Sequence, residues 1–173
     1  LTAAQTMIDE VSKIKSPFGT DSTIGNHPPG IGIGPTIKQE AGWVIGKTRK
    51  RFDSKQVFDA AYKAQIAVMK LAQHKIGTVW VAGNYRAIKA SKSCPGYSVP
   101  FGIAYGGVPD GEKVGDGWSN SLMSRKNLEE IFFDLKENRT ITEKTAGENI
   151  DFYQAIRYGP SAINQQPWRF VVE

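Results

Sequence analysis

The stretch "DSKQVFDAAYKAQIAVMKLAQHK", residues Asp53–Lys75, carries the longest helical pattern in the chain. Asp53 followed by Gln56 three residues later is typical of a capping box at a helix start, and Gly77 can end the helix after about Lys75. Apolar residues recur along one predicted stripe of this helix: Val57, Ala61, Ala64, Val68, Leu71 and Ala72. Such a stripe predicts a deeply buried, central helix.

Strand-like and helical segments alternate on both sides of this helix. Upstream, the pattern predicts a helix over Ala3–Lys15, a Gly/Pro loop over Gly25–Pro35 and a short strand over Trp43–Gly46. Downstream, it predicts strands over Ile76–Tyr85 and Val99–Tyr105 and a Gly/Asp loop over Gly106–Trp118. It then predicts helices over Arg125–Leu135 and Glu148–Tyr158 and a closing strand over Arg169–Glu173. The sequence therefore predicts an α+β fold with a central antiparallel or mixed sheet, flanked by helices around the buried central helix.

Length and composition limit the class of protein. The chain has 173 residues, of which 40% are hydrophobic and 23% charged, as expected for one globular domain or slightly more. It contains no apolar run long enough for a bilayer and no signal segment, which predicts no membrane partner and a cytoplasmic location, or an organelle interior if a transit segment has been lost. Cys94, His27 and His74 do not form a metal-ligand pattern. The start at Leu1 and the strand-like end predict truncation at both ends.

The chain is basic, with a formal net charge of +5 and a pI near 9.3. Its densest cationic cluster comprises Lys47, Arg49, Lys50 and Arg51, which we interpret as a solvated strand end. No recognition helix, aromatic RNA-binding motif or zinc finger accompanies it, so nucleic acid is not favoured as a partner. A phosphate-bearing small ligand explains the charge equally well.

Four segments, taken together and in order, resemble the FMN-dependent nitroreductase family. "KIGTVWVAGNY" is similar to the family's "GLGTCWLGG" strand end, "VPFGIAYG" to a short strand with a P-G-Y turn, and "SRKNLEEIFF" to "RKPLEEL-F". "GPSAINQQPWRFVV", which begins at Gly159, resembles the loop and strand "APSA-N-QPW-F-V". Because this loop follows the other three segments, the chain most resembles the putative TM nitroreductase branch, in which two half-related units share one chain.

This resemblance implies a domain organisation. Residues 1–142 would form the first nitroreductase-like unit, and residues 143–173 would begin the second. The flavin site that other members build between two subunits would then form within one chain. The protein would be a monomeric pseudo-dimer or a homodimer, or a subunit of a larger complex.

The resemblance also implies the residues that bind the flavin. The loop would supply hydrogen bonds through Pro160, Ser161, Ala162, Asn164 and Gln166. The strand end would let the backbone approach the flavin face at Val81, Ala82 and Gly83. The FMN phosphate would meet Arg125 and Lys126. Each set also has a simpler interpretation. The loop is then a polar turn with Trp168 as an aromatic plug, Gly83 is an ordinary strand-end glycine, and Arg125 and Lys126 are surface charges before a helix.

These features lead to two hypotheses about function. The first is an FMN-dependent oxidoreductase that passes electrons from NAD(P)H to a nitroaromatic, a quinone or a similar small-molecule acceptor, and it needs no catalytic side chain. The alternative is a non-catalytic, nitroreductase-fold subunit that is a structural component of a larger assembly. The lack of the family's N-terminal Arg-Ser-Arg phosphate motif favours the alternative, whereas Ser161, Asn164 and Gln166 favour the enzyme.

Overall fold

The computed structural model describes residues 2–33, 40–50, 53–81, 83, 85–107, 124–159, 161 and 165–173. The chain divides into two compact units, Leu1–Asp110 and Gly111–Glu173. The boundary predicted near residue 142 separates two family-related units, whereas this division separates compact parts of the chain. The predicted boundary is therefore not tested by the division and stays a prediction. Within the described ranges, no helix is both long and apolar enough to cross a membrane.

A four-stranded antiparallel sheet forms the centre of the first unit. Its strands are β1 (Thr23–His27), β2 (Gly42–Lys47), β3 (Ile76–Val81) and β4 (Gly102–Gly107), in the spatial order β1-β2-β4-β3. The expected strand at Trp43–Gly46 is confirmed and lies inside the sheet, where its residues are buried. The predicted loop is wrong at its start, since Gly25, Asn26 and His27 pair with β2 despite the low strand propensity of Gly and Asn.

Helices cover both faces of this sheet, which explains the unbroken apolar run in β2. Helices α1 (Thr2–Ser12) and α2 (Ser54–Gln73) cover the face that carries Val44 and Ile103. The short helix α3 (Ala87–Lys92) belongs to the cluster on the other face, with Trp43, Ile45, Val81, Tyr85 and Ala104. Neighbouring residues of β2 thus point to opposite cores.

The structure confirms the predicted start of α2 and corrects its buried face. Asp53 caps the helix by accepting a hydrogen bond from Gln56 N at 3.0 Å. The Gln56 side chain instead accepts from the N–H groups of Arg49 and Lys50, at 2.8 and 3.2 Å. Of the predicted stripe only Ala64 and Leu71 are buried; the others are half-buried or exposed, namely Val57, Ala61, Val68 and Ala72.

The buried face of α2 differs from the predicted stripe because it includes two charged side chains, those of Asp59 and Lys63. The carboxylate of Asp59, which is fully buried, accepts hydrogen bonds from Phe18 N, Thr20 N and Thr20 Oγ1, each at 2.9 Å. Burial acts to raise the pKa of Asp59, but these bonds and one from Ser16 outweigh it and lower the pKa. Lys63 Nζ donates to Ser12 O and Ser22 O at 3.3 and 3.0 Å. Such buried polar residues need partners, and here they attach the segment between α1 and β1 to α2.

The second unit combines short helices with a small mixed sheet. Its strands β5 (Phe132–Asp134), β6 (Arg139–Thr140) and β7 (Phe170–Val172) have the order β6-β5-β7, with β5 antiparallel to β6 and parallel to β7. Helix α4 (Leu128–Ile131), a 3₁₀ turn (Gly147–Asn149) and helix α5 (Ile150–Arg157) complete the unit. Its core comprises Leu128, Ile131, Phe132, Ile141, Ala146 and Tyr153.

The predicted helix over Arg125–Leu135 is wrong in most of its length. Only Leu128–Ile131 is helical, and the chain then enters β5 because Phe132 and Phe133 pair with Phe170 and Val171 of β7. The helix expected to end near Tyr158 and the closing strand are both confirmed. Most of the predicted loop after Gly106 lies outside the described residues. The chain has the predicted α+β fold, with sheets flanked by helices.

Candidate functional site

Four of the predicted site residues come together in the second unit: Arg125, Lys126, Ser161 and Gln166. Two others, Val81 and Gly83, belong to the first unit and are treated separately below. The remaining predicted site residues lie outside the described residues, namely Ala82, Pro160, Ala162 and Asn164.

Gln166 is the centre of the second-unit site. It is 3% exposed and its φ of +46° lies in the left-handed region, which a glutamine adopts only when its surroundings hold it there. Its Oε1 accepts from Lys126 N at 2.9 Å, and its Nε2 donates to Ser124 O at 3.1 Å. Its own N–H donates to Ser161 Oγ at 2.9 Å. The predicted flavin ligand therefore directs its amide into the protein, where it joins the loop to residues 124–126.

Arg157, at the end of α5, binds the same segment from the other side. Its Nε donates to Lys126 O at 2.7 Å, and its Nη2 lies 3.5 Å from Arg125 O. Its Nη1 donates to Gln154 Oε1 at 3.1 Å. The main chain at Lys126 is thus held at its N–H by Gln166 and at its carbonyl by Arg157.

Two further cations bind the loop. Arg125 Nη1 donates to Gly159 O at 3.2 Å, and its guanidinium lies 5.8 Å from the centroid of the Tyr158 ring. Arg169 Nη1 donates to the carbonyls of Gln166 and Trp168 at 3.2 and 2.6 Å. The loop carbonyls are therefore bound by residues on both sides of the loop in sequence.

We call Arg125, Lys126, Arg157 and Arg169 the basic cluster. Each donates to main-chain carbonyl oxygens, and Lys126 Nζ does so to Gln166 O at 3.3 Å. Carbonyls are neutral, so these bonds orient the cations without cancelling their charge. The carboxylate of Glu143 lies 3.9 Å from Arg157 but is 72% exposed, where an ion pair contributes little. The cluster brings four cationic side chains together around the loop, and such a concentration of positive charge suits an anionic ligand such as a phosphate.

The donor set of the second unit fits one end of FMN. Guanidinium and ammonium groups are the usual ligands of phosphate, and Arg can bind it through two bonds. The Ser161 hydroxyl accepts from Gln166 N and still carries a proton to donate. A phosphorylated flavin is therefore compatible with the described groups.

Trp168 occupies the position predicted for it as an anchor of the loop. It is half-buried and packs against the second-unit core, with its ring 3.7 Å from the position that a Cβ at Gly159 would take. Its buried Nε1 has no hydrogen-bond partner among the described atoms. The aromatic-plug interpretation therefore holds for Trp168 whether or not the loop binds a ligand.

In the first unit, the structure describes two residues of the predicted strand end, Val81 and Gly83. Val81 is 7% exposed and belongs to the core. Gly83 has a φ of +83°, which favours glycine, and no described atom lies within 4 Å of the position of a Cβ. The backbone conformation thus explains why a glycine occupies position 83. No described atom fills the space that its side chain would take.

Sequence reasoning missed Arg157 and Arg169 as members of the site. A basic residue in the last turn of a helix ordinarily indicates a favourable interaction with the helix dipole, and that signal concealed the role of Arg157. Among the residues with assigned positions, no group of three or more His, Cys, Asp or Glu side chains could hold a metal ion.

Comparison with known proteins identifies relatives. The family model described as "Putative TM nitroreductase" matches residues 33–173. Among solved structures, a putative nitroreductase from Thermotoga maritima MSB8 superimposes with a TM-score of 0.55 at 19% sequence identity, over 98% of this chain and 62% of that one. The likeness shows a nitroreductase-like fold, and the chain spans less than two thirds of that structure. No curated protein matches.

Proposed function

Because the chain belongs to the Putative TM nitroreductase family, we propose that it is an oxidoreductase that uses FMN to pass electrons from NAD(P)H to a nitroaromatic, a quinone or a similar acceptor. The observation that supports this proposal is the basic cluster. Its cations are oriented by neutral carbonyls beside the loop that resembles the family's flavin-binding loop. A phosphate group is an anion of the kind that such a concentration of positive charge attracts.

The residues of the second unit would have distinct roles in holding the cofactor. Arg125 and Lys126 bind the phosphate, and Ser161 donates its hydroxyl proton to the ligand. Gln166 holds the loop in shape through its internal bonds and does not itself reach the ligand. In the first unit, the glycine at position 83, which has no described atom within 4 Å of its Cβ position, would let a ligand approach the backbone.

When bound, FMN supplies the hydride and electron chemistry. The chain therefore needs to bind and orient its ligands, and no acid–base side chain is required. The electron acceptor is a small molecule, and the active form is a monomer that binds one flavin per chain.

A second candidate function is that of a structural subunit that binds no flavin. One observation favours it: the amide of Gln166 and the guanidinium of Arg157 are already bonded to protein groups. In this case the hydrogen bonds of the site serve only to hold the loop against residues 124–126.

The experiment that separates the two is a titration of the purified chain with FMN and riboflavin, followed by flavin fluorescence and light scattering. The oxidoreductase proposal expects FMN to bind more tightly than riboflavin, at one equivalent in the monomer peak, and NADH or NADPH to bleach the flavin. A protein that takes up neither flavin supports the structural candidate. Flavin found only in a dimer peak contradicts the monomeric site.

A further inference from the structure

We propose that Arg157 is a positioning residue that makes the basic cluster selective for a phosphorylated ligand. The inference rests on the proposed function, because the ligand in question is FMN rather than riboflavin. Its basis is that Arg157 binds the carbonyls of both Arg125 and Lys126, the two residues whose side chains would bind the phosphate.

The shape of the guanidinium group explains why an arginine occupies this position. Nε and Nη2 lie on one edge of the planar group and point to two consecutive carbonyls, those of Lys126 and Arg125. Nη1, on the opposite side, donates to Gln154 Oε1 within α5. Arg157 therefore joins the end of this helix to residues 125 and 126, and a lysine could not make all three bonds from one nitrogen in the same geometry.

The restraint reaches the atoms that would face a ligand. Lys126 is held at three points: its N–H by Gln166 Oε1, its carbonyl by Arg157, and its Nζ by Gln166 O. Without the bonds from Arg157, the carbonyls of Arg125 and Lys126 would lose their restraint, and the positions of the two cationic side chains would be less fixed. Pre-organised donors bind an anion more tightly because less conformational entropy is lost on binding.

Other contacts of Arg157 do not explain its burial. Its ion pair with Glu143 is long, at 3.9 Å, and the side chain of Glu143 is largely exposed, whereas that of Arg157 is only 16% exposed. Its distance from the centroid of the exposed Tyr158 ring is 5.7 Å. The short bond to the carbonyl of Lys126, at 2.7 Å, is the strongest geometric restraint in the set.

The test compares Arg157→Lys with three other variants of the full chain. Arg139→Lys is the matched control, since Arg139 is an exposed arginine of the same unit. Glu143→Gln removes the negative charge of the ion pair but keeps an oxygen that can accept from Gln154 Nε2. Gln154→Ala is a milder second variant that removes the acceptor of Nη1. Dissociation constants of FMN and riboflavin are measured by fluorescence, and hydrogen exchange of residues 124–131 is measured without flavin. Circular dichroism checks the fold of each variant.

Arg157→Lys is expected to weaken FMN binding about tenfold and riboflavin binding less than about twofold, although the net charge is unchanged. Exchange of the Lys126 amide is expected to accelerate about tenfold, because the restraint on its peptide is lost. Gln154→Ala is expected to shift both quantities in the same direction by less. Arg139→Lys and Glu143→Gln are expected to leave them unchanged.

The outcomes separate this inference from the proposed function. If the wild-type chain prefers FMN and Arg157→Lys keeps the same preference, the role of Arg157 is overturned and the flavin proposal stands. If neither flavin binds the wild-type chain, the proposed function and the selectivity are both overturned. An exchange rate at residues 124–131 that does not change in Arg157→Lys contradicts the positioning role in either case.

Discussion

Lys126 and Gln166 are bonded to each other twice, in a reciprocal arrangement. The main-chain N–H of Lys126 donates to the Gln166 side chain at 2.9 Å, and the Lys126 ammonium donates to the Gln166 main-chain carbonyl at 3.3 Å. Each residue thus uses its main chain to hold the other's side chain. Together with the bonds from Gln166 to Ser124 and from Arg125 to Gly159, this pair holds the loop before β7 against the segment before α4.

Replacing Gln166 by Leu should destabilise the protein by about 1–3 kcal/mol, because Lys126 N–H and Ser124 O lose their buried partner. The change is measured as the free energy of unfolding in urea. Gln165→Leu is the matched control: Gln165 is the exposed neighbour, and its replacement should change stability by less than about 0.5 kcal/mol. Equal effects of the two substitutions would contradict the central role of Gln166.

Asp59 should make stability depend on acid pH. Its folded pKa lies below that of the unfolded chain, about 3.9, so its contribution is complete above that pH and is lost as the pH falls through the folded value. Asp59→Asn should destabilise the protein by about 2–3 kcal/mol at pH 7, because an amide cannot accept all of the bonds from Phe18 and Thr20.

The difference between wild type and Asp59→Asn should therefore shrink as the pH is lowered below about 4. Urea unfolding at pH 7 and pH 3 measures it. Asp21→Asn, which affects an exposed carboxylate paired with Arg49, serves as the control and should show no such convergence. A difference that is constant with pH would show that Asp59 acts by packing alone.

Ala64 and Ala72 provide a direct test of the corrected face of α2. Ala64 is fully buried, so Ala64→Arg places a charge without a partner in the core and should cost more than about 4 kcal/mol, enough to unfold the first unit. Ala72 is exposed, and Ala72→Arg should leave the circular dichroism spectrum and the thermal midpoint nearly unchanged. If both variants unfold, the stripe predicted from the sequence is correct and the structural face is wrong.

Arg125→Ala should weaken FMN binding by about 1.5–3 kcal/mol, the contribution of a charge-assisted hydrogen bond, and should affect riboflavin far less. Fluorescence titration with the two flavins measures the ratio. Arg139→Ala removes an equal charge from an exposed position in the same unit and should change neither constant appreciably. Equal losses for both flavins would indicate that Arg125 acts through its bond to Gly159 and not through phosphate.

Sequence patterns predicted α1, α2, α5 and the strands β2 and β7, where the signal was local. Asp53 caps α2 as expected, because a cap acts within one turn of the chain. The predicted boundaries of elements were wrong where pairing with a distant strand determined the local structure. Phe132 and Phe133 continue a helical pattern, yet they form β5 because Phe170 and Val171 offer a parallel strand.

The candidate site shows the same division. The sequence identified the loop that contains Ser161 and Gln166, and the cations Arg125 and Lys126, through their resemblance to family motifs. It did not reveal that Gln166 turns inward, or that Arg157 holds the carbonyls of both cations. Nothing in the residues next to Arg157 distinguishes it from an ordinary basic helix end.

By itself, the sequence determined where α1, α2, α5 and β2 lie, because apolar periodicity and capping depend on residues within a few positions of one another. Only the tertiary structure decided which face of α2 is buried and which polar groups meet. Asp59 reaches Thr20 across 39 residues, and Lys126 reaches Gln166 across 40. Hydrogen bonds over such separations form only after the fold has brought the segments together, and burial then requires each of these polar groups to find its partner.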